Sequence, residues 1–83
     1  MLSLPNSIQV YLASEPVDLR RGHDGLVALV RNHLHLDPFA GHLFVFLGKG
    51  RDRVKILFWD NNGFVVYYKR LSQGRFPPPP IPP

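Results

Sequence analysis

Four side chains near the middle of the chain, His33, His35, Asp37 and His42, are of the types that bind metal ions. Their spacing argues against a shared site. On a helix, His33 and His35 stand about 200° apart and point to different sides. Paired helical ligands need the i, i+4 spacing that is missing here. A solvated helix end, where the dipole favours histidine, accounts for them more simply. Ser3, Ser7, Ser14 and Ser72 lack the strand-turn-helix glycine setting of a nucleophile elbow. Asp18, Asp24 and Asp60 have the chemistry for magnesium, but two sit near a helix start and the third opens a hairpin. Gly48-Lys49-Gly50 carries only a fragment of a phosphate-binding loop. The chain has no cysteine, which removes thiol nucleophiles, thiolate zinc sites and disulfides. The expectation is a protein with no catalytic residues, no metal and no cofactor.

Cations and aromatics are more informative. Residues 1–40 carry Arg20, Arg21 and Arg31 against Glu15, Asp18, Asp24 and Asp37, a net charge of −1. Residues 41–83 carry Lys49, Arg51, Arg53, Lys55, Lys69, Arg70 and Arg75 against Asp52 and Asp60, a net charge of +5. A basic half attracts a polyanion through counterion release, and nucleic acid is the commonest polyanion in a cell. Within that half, Arg53, Lys55, Lys69, Trp59 and Tyr67 interleave phosphate-neutralising groups with flat rings that suit unpaired bases. Two other readings suit the same residues. One is an ordinary half-exposed sheet face; the other is a protein interface, where Trp, Tyr and Arg concentrate. No aromatic RNA-binding signature accompanies them.

These side chains need elements to position them. Ser7 to Ala13 alternates, with Ile8, Val10 and Leu12 on one side and Gln9 and Tyr11 on the other, which is a strand pattern. Ser14-Glu15-Pro16 interrupts it. Leu26, Leu29, Val30 and Leu34 form one apolar helical stripe, which predicts a helix over about 22–35 ending at Asp37-Pro38. Strands follow over His42 to Leu47, Arg53 to Trp59 and Phe64 to Arg70. They are joined by Gly48 to Asp52 and by Asp60-Asn61-Asn62-Gly63, the strongest turn signal present. Six of the last seven residues, Pro77 to Pro83, are proline and predict an extended polyproline tail. The expected fold is α+β, in the order β-α-β-β-β: a four-stranded antiparallel sheet with one helix on one face. The expected domain covers residues 1–76, with the tail at 77–83. A register pairing Phe58 with Phe64 places Val54, Ile56, Phe58, Phe64, Val66 and Tyr68 under the helix. It leaves Arg53, Lys55, Trp59, Tyr67 and Lys69 on the opposite face.

At 83 residues the chain buries only about 60% of its unfolded surface, so each core residue counts. Apolar residues make up 45% and charged residues 19%, a globular composition. Apolar runs such as Leu43 to Leu47 are too short to cross a bilayer, and the N-terminus has no secretory pattern. A cytoplasmic location and no membrane contact are expected.

Several phrases occur together and in order. They are Val17-Asp18-Leu19-Arg20-Arg21-Gly22-His23-Asp24-Gly25-Leu26, Asp37-Pro38-Phe39-Ala40-Gly41-His42-Leu43-Phe44-Val45-Phe46 and Asp52-Arg53-Val54-Lys55-Ile56-Leu57-Phe58-Trp59-Asp60. Gly63-Phe64, Tyr68-Lys69-Arg70-Leu71 and Gly74-Arg75-Phe76 complete the set. From about Ile8 to Phe76 the chain closely resembles the small TnpB (second reading frame) accessory proteins of the IS66 family of bacterial insertion sequences. The large RNA-guided nuclease that shares the TnpB name is a different protein.

The resemblance implies an accessory factor in transposition, with strand transfer carried out by a separate, larger transposase. DNA and that transposase are the expected partners. Arg53, Lys55, Lys69 and Arg70 are the expected phosphate contacts, with Arg20, Arg21 and Arg75 as a second basic group and Trp59 and Tyr67 as packing or stacking rings. The alternative is an interaction module that docks on the transposase without touching DNA. Relatives usually continue past Gly74-Arg75-Phe76 into a segment that looks helical, so a truncated, inactive copy is a third expectation. His33 and His35 depart from the family pattern.

Overall fold

The structure is a computed structural model that describes residues 7–79. The polyproline expectation for Pro77 to Pro83 therefore lies partly outside the described residues. The elements are β1 (Val10–Leu12), α1 (His23–Asn32), β2 (Leu43–Leu47), β3 (Arg53–Asp60) and β4 (Gly63–Arg70). They build a four-stranded sheet in the order β1-β2-β3-β4 with the helix on one side.

The sheet is mixed, which corrects the antiparallel expectation. β1 runs parallel to β2, with Val10 opposite Leu43, while β2–β3 and β3–β4 are antiparallel. The physical cause is the crossover. A chain that leaves β1, passes through a helix and returns to the same sheet end re-enters in the original direction.

α1 is shorter than the apolar stripe suggests. Leu26 and Val30 are fully buried, and Leu29 and Leu34 pack at the margin. Helical hydrogen bonding stops because the amides of His33 and Leu34 both donate to the Leu29 carbonyl. His35 then takes a left-handed conformation (φ 55), and Leu36 N–H donates to the Val30 carbonyl. Leu34 stays in the stripe's direction without belonging to the helix.

The largest correction concerns the β3–β4 register. Asp60 faces Gly63, so the hairpin loop is only Asn61 and Asn62, with Asn61 at φ 55. Trp59 then faces Phe64, Leu57 faces Val66, and Lys55 faces Tyr68. Pairing Phe58 with Phe64 would have required a five-residue connection. The one-residue slip turns every β3 side chain to the other face. Beneath the helix lie Phe44, Phe46 and Leu57, buried with Ala13, Leu26 and Val30; Phe64, Val66 and Tyr11 pack around them. The expectation for β4 (Phe64 and Val66 inward) matches this packing. The expectation for β3 is reversed, because Val54, Ile56 and Phe58 belong to the face away from the helix, which is open around Ile56 and Phe58 although Val54 itself is buried.

That open face is apolar. Val10, Leu12, Val65 and Tyr67 are 58%, 40%, 37% and 51% exposed, and half-buried Leu43, Val45, Ile56 and Phe58 lie among them. No helix of the described residues is long and apolar enough to cross a membrane.

Candidate nucleic-acid interface

One end of the sheet gathers cations on the helix side. Arg53, first in β3, lies directly opposite Arg70, last in β4, and both are exposed. Two strand positions along, Lys55 faces Tyr68. The Lys55 ammonium donates to the Arg21 carbonyl at 2.7 Å and sits 5.2 Å from the Tyr68 ring centroid. Two contacts thus orient this cation, whereas no ion pair among the described residues holds Arg53 or Arg70. Among the described residues the one ion pair is Arg20–Asp18, at 2.7 Å.

Next to Arg53 the surface dips into a cleft of about 640 Å³. The segment from Pro16 to Arg20 forms one wall, the β2–β3 turn the other, and Tyr68 also lines it. Hydrogen bonds fix both walls. Val17 N–H donates to the Leu47 carbonyl at 2.9 Å, extending the β1 side of the sheet into the connection toward α1. Gly48 N–H donates to the Arg53 carbonyl at 3.1 Å and Arg51 N–H to the Gly48 carbonyl at 3.0 Å, with Arg51 at φ 57. Gly48 eases the close approach of the walls, because a Cβ there would lie 3.2 Å from Leu19 Cδ1 and the leucine side chain would have to shift slightly. The chain after β4 returns to the same turn: Leu71 N–H donates to the Asp52 carbonyl at 2.7 Å and Phe76 N–H to the Arg51 carbonyl at 2.6 Å.

The cleft carries both signs of charge. Asp18 accepts from the Arg20 side chain and backbone, and these hydrogen bonds lower its pKa from 3.8 to about 2. The same pairing raises the Arg20 pKa. Asp18 and Arg20 largely cancel, which leaves Lys49, Arg53 and the adjoining Arg70 as the free positive charge, with Asp52 the other carboxylate of the cleft.

The expected site residues separate into groups. Arg20, Arg53, Lys55 and Arg70 collect at this end, with Arg21 in contact through its carbonyl. Arg75 is exposed and adjoins Phe76, which is tied to the β2–β3 turn. Lys69 faces Val54 on the open side, so the expectation that Lys55 and Lys69 share a face is wrong. Trp59 and Tyr67 also separate. Tyr67 faces Ile56 on the open side, while Trp59 packs edge-on to Phe39 and Phe64 at centroid distances of 4.9 and 5.0 Å. Those contacts leave Trp59 as a half-buried member of an aromatic cluster about 20 Å along β3 from Arg53. Sequence reasoning missed Lys49 and Tyr68 as cleft residues. The adjacency of Lys49 to Arg53 across a tight turn was the available signal.

Among the described residues, no three or more His, Cys, Asp or Glu side chains lie close enough together to hold a metal ion. His42 instead uses Nδ1 to accept the Gln9 N–H at 3.0 Å, tying the segment before β1 to β2.

Comparison with known proteins places this geometry in context. The family model for the IS66 Orf2 like protein matches residues 8–82. The uncharacterized protein y4jC of Sinorhizobium fredii (strain NBRC 101917 / NGR234) is 41% identical over 81 residues, 98% of this chain and 69% of that relative. The uncharacterized protein y4hO of the same organism is 36% identical over 76 residues, 92% of this chain and 66% of that relative. The chain thus spans about two thirds of the length of the curated relatives it matches. No solved structure matches it.

Proposed function

This chain belongs to the IS66 Orf2-like protein family, and we propose that it is a non-enzymatic accessory protein of transposition that holds DNA by its phosphates. The contact surface is the basic end of the sheet: Arg53, Arg70, Lys49 and Lys55, with Arg20, Arg21 and Arg75 at its edge. The observation that carries the reading is Arg53 standing directly opposite Arg70 with no carboxylate of the described residues paired to either. Like charges facing each other across two strands disfavour folding. A phosphate placed between them removes that cost and accepts hydrogen bonds from both guanidinium forks. Contacts of this kind fix position on a duplex and are indifferent to base sequence.

The test is a binding titration on duplexes from the element's terminal repeats and on scrambled duplexes, over a range of salt. Replacing both Arg53 and Arg70 by Ala should weaken binding to every duplex. It should also reduce the slope of log K against log salt by about 2, since each lost phosphate contact removes about 0.9. Arg31→Ala, in the last turn of α1, is the control and should bind like the parent. A double variant that matches the parent at every salt concentration overturns the assignment.

A second reading, a module that docks on the transposase without touching DNA, has one observation in its favour. Exposed Val10, Leu12, Val65 and Tyr67 make an apolar patch of the sheet that the described residues leave open. Complex formation with the transposase that is insensitive to salt, together with no binding to DNA alone, would favour it.

A further inference from the structure

The two edges of the sheet are built differently. β1 is an edge of three residues, Val10–Leu12. β4 is an edge of eight residues, Gly63–Arg70, and no strand of the described residues pairs with its outer side. Sheet proteins blunt long edges with proline, bulges or charges spaced along the strand. β4 has none of these over Phe64-Val65-Val66-Tyr67-Tyr68; its cations, Lys69 and Arg70, are confined to one end. Asp60 stands at the other end, in the residue pair that closes the hairpin, and it forms no ion pair with any of the described residues.

We infer that β4 is a homodimer interface, pairing antiparallel with β4 of a second copy so that Val66 meets Val66 at a twofold axis. Three features select the second copy as occupant and fix this register. First, in a symmetric antiparallel pair the facing residues must belong to the same sheet face, so their numbers add to an even sum. Centring on Val66 sets Val65 against the partner's Tyr67 and Phe64 against the partner's Tyr68, apolar against aromatic on both faces. Secondly, the same register sets Lys69 against the partner's Gly63. Glycine has no side chain there, and the residue beyond it, paired with it across the hairpin, is Asp60 on the same face. Lys69 and the partner's Asp60 are then two strand spacings apart, roughly 10 Å between Cα positions, with nothing between them to prevent contact. Twofold symmetry makes this ion pair twice. Thirdly, shifting the axis to Tyr67 would set Lys69 against Val65 and Phe58 and lose both pairs, so charge complementarity distinguishes the registers. The antiparallel arrangement also keeps the two Lys69–Arg70 ends apart. The dimer is an eight-stranded sheet in which both basic ends lie on the same helix-bearing side.

The test is sedimentation of the full 83-residue chain without DNA, at low ionic strength, from low micromolar to near-millimolar concentration. The parent should pass from monomer to dimer. Lys69→Glu and Asp60→Lys should each weaken the dimer about tenfold, as two attractions become two repulsions, and combining them should restore it. Within one chain Lys69 lies opposite Val54, six residues along β3 from Asp60, roughly 20 Å away, so the rescue can arise only between chains. Melting temperatures close to the parent's establish that the variants are folded. A measurement on the parent alone gives an independent reading: amide exchange over residues 64–68 should slow as concentration rises. A chain that stays monomeric throughout, charge reversals without effect, or association that leaves those amides exchanging at an unchanged rate overturns the inference.

Discussion

The reversed face of β3 gives a prediction in which neighbouring residues change roles. Leu57 is fully buried beneath α1, level with Phe44 on β2 and Val66 on β4. Ile56, one residue earlier, lies half-buried on the open face opposite Val45 and Tyr67. Leu57→Ala removes the equivalent of three methylene groups from full burial, about 2.4 kcal/mol at about 0.8 kcal/mol each. Phe44, Leu26 and Val30 are held by the sheet and helix and relax only partly into the space, so the cavity raises the cost to about 3–5 kcal/mol. Ile56→Ala removes the same amount of hydrocarbon from a site already half in water and leaves no closed cavity, so its cost should be about 1 kcal/mol. Urea unfolding followed by circular dichroism reads both as shifts of the midpoint. A domain of this size has a total stability of only about 4–12 kcal/mol, so Leu57→Ala could unfold it outright. Leu57→Val against Ile56→Val then makes the same comparison at about 1 kcal/mol and a few tenths. If the Ile56 substitution costs as much as the Leu57 one, or more, the register with Asp60 opposite Gly63 is wrong.

Gly41 has φ 82, and a methyl group added there would meet no atom within 4 Å, so Gly41→Ala should cost only the left-handed strain, about 1 kcal/mol, in the same unfolding assay. Phe39→Ala removes one ring of the Phe39–Trp59–Phe64 cluster. It should change the near-ultraviolet dichroism and fluorescence of Trp59 while lowering stability by about 1 kcal/mol; an unchanged Trp59 signal would dissolve the cluster. The Asp18 carboxyl should titrate near pH 2 by NMR, and Arg20→Ala should return it toward 3.8. Its folded pKa lies below the unfolded one, so its small contribution to stability is present above about pH 4 and is lost as the pH falls toward 2. The exposure of the pair, 91% for Arg20 and 48% for Asp18, keeps that contribution small.

Much of the architecture was legible in the sequence because it follows from local patterns. The order of strands and helix came from runs with periods of two and of about three and a half, and from the turn residues between them. The stripe of Leu26, Leu29, Val30 and Leu34 identified the buried helix face, and Asp60 to Gly63 marked the hairpin. The end of α1 was less legible. Leu34 and Leu36 continue to pack inward after the helical bonds have stopped, so apolar periodicity outlasts the helix.

Which face of β3 meets the core was decided only in three dimensions. Both alternating sets of that strand contain large apolar residues: Val54, Ile56 and Phe58 in one, Leu57 and Trp59 in the other. Periodicity therefore could not choose between them, and the length of the hairpin loop did, because a slip of one residue exchanges the two sets. The same slip sorted the candidate site. It brought Lys55 to the helix-bearing side at the Arg21 carbonyl, left Lys69 and Tyr67 on the open face, and set Arg53 against Arg70. Sequence determined that the second half of the chain is basic and rich in strand-forming aromatics. Strand pairing, a contact between residues distant in sequence, determined which of those cations stand together.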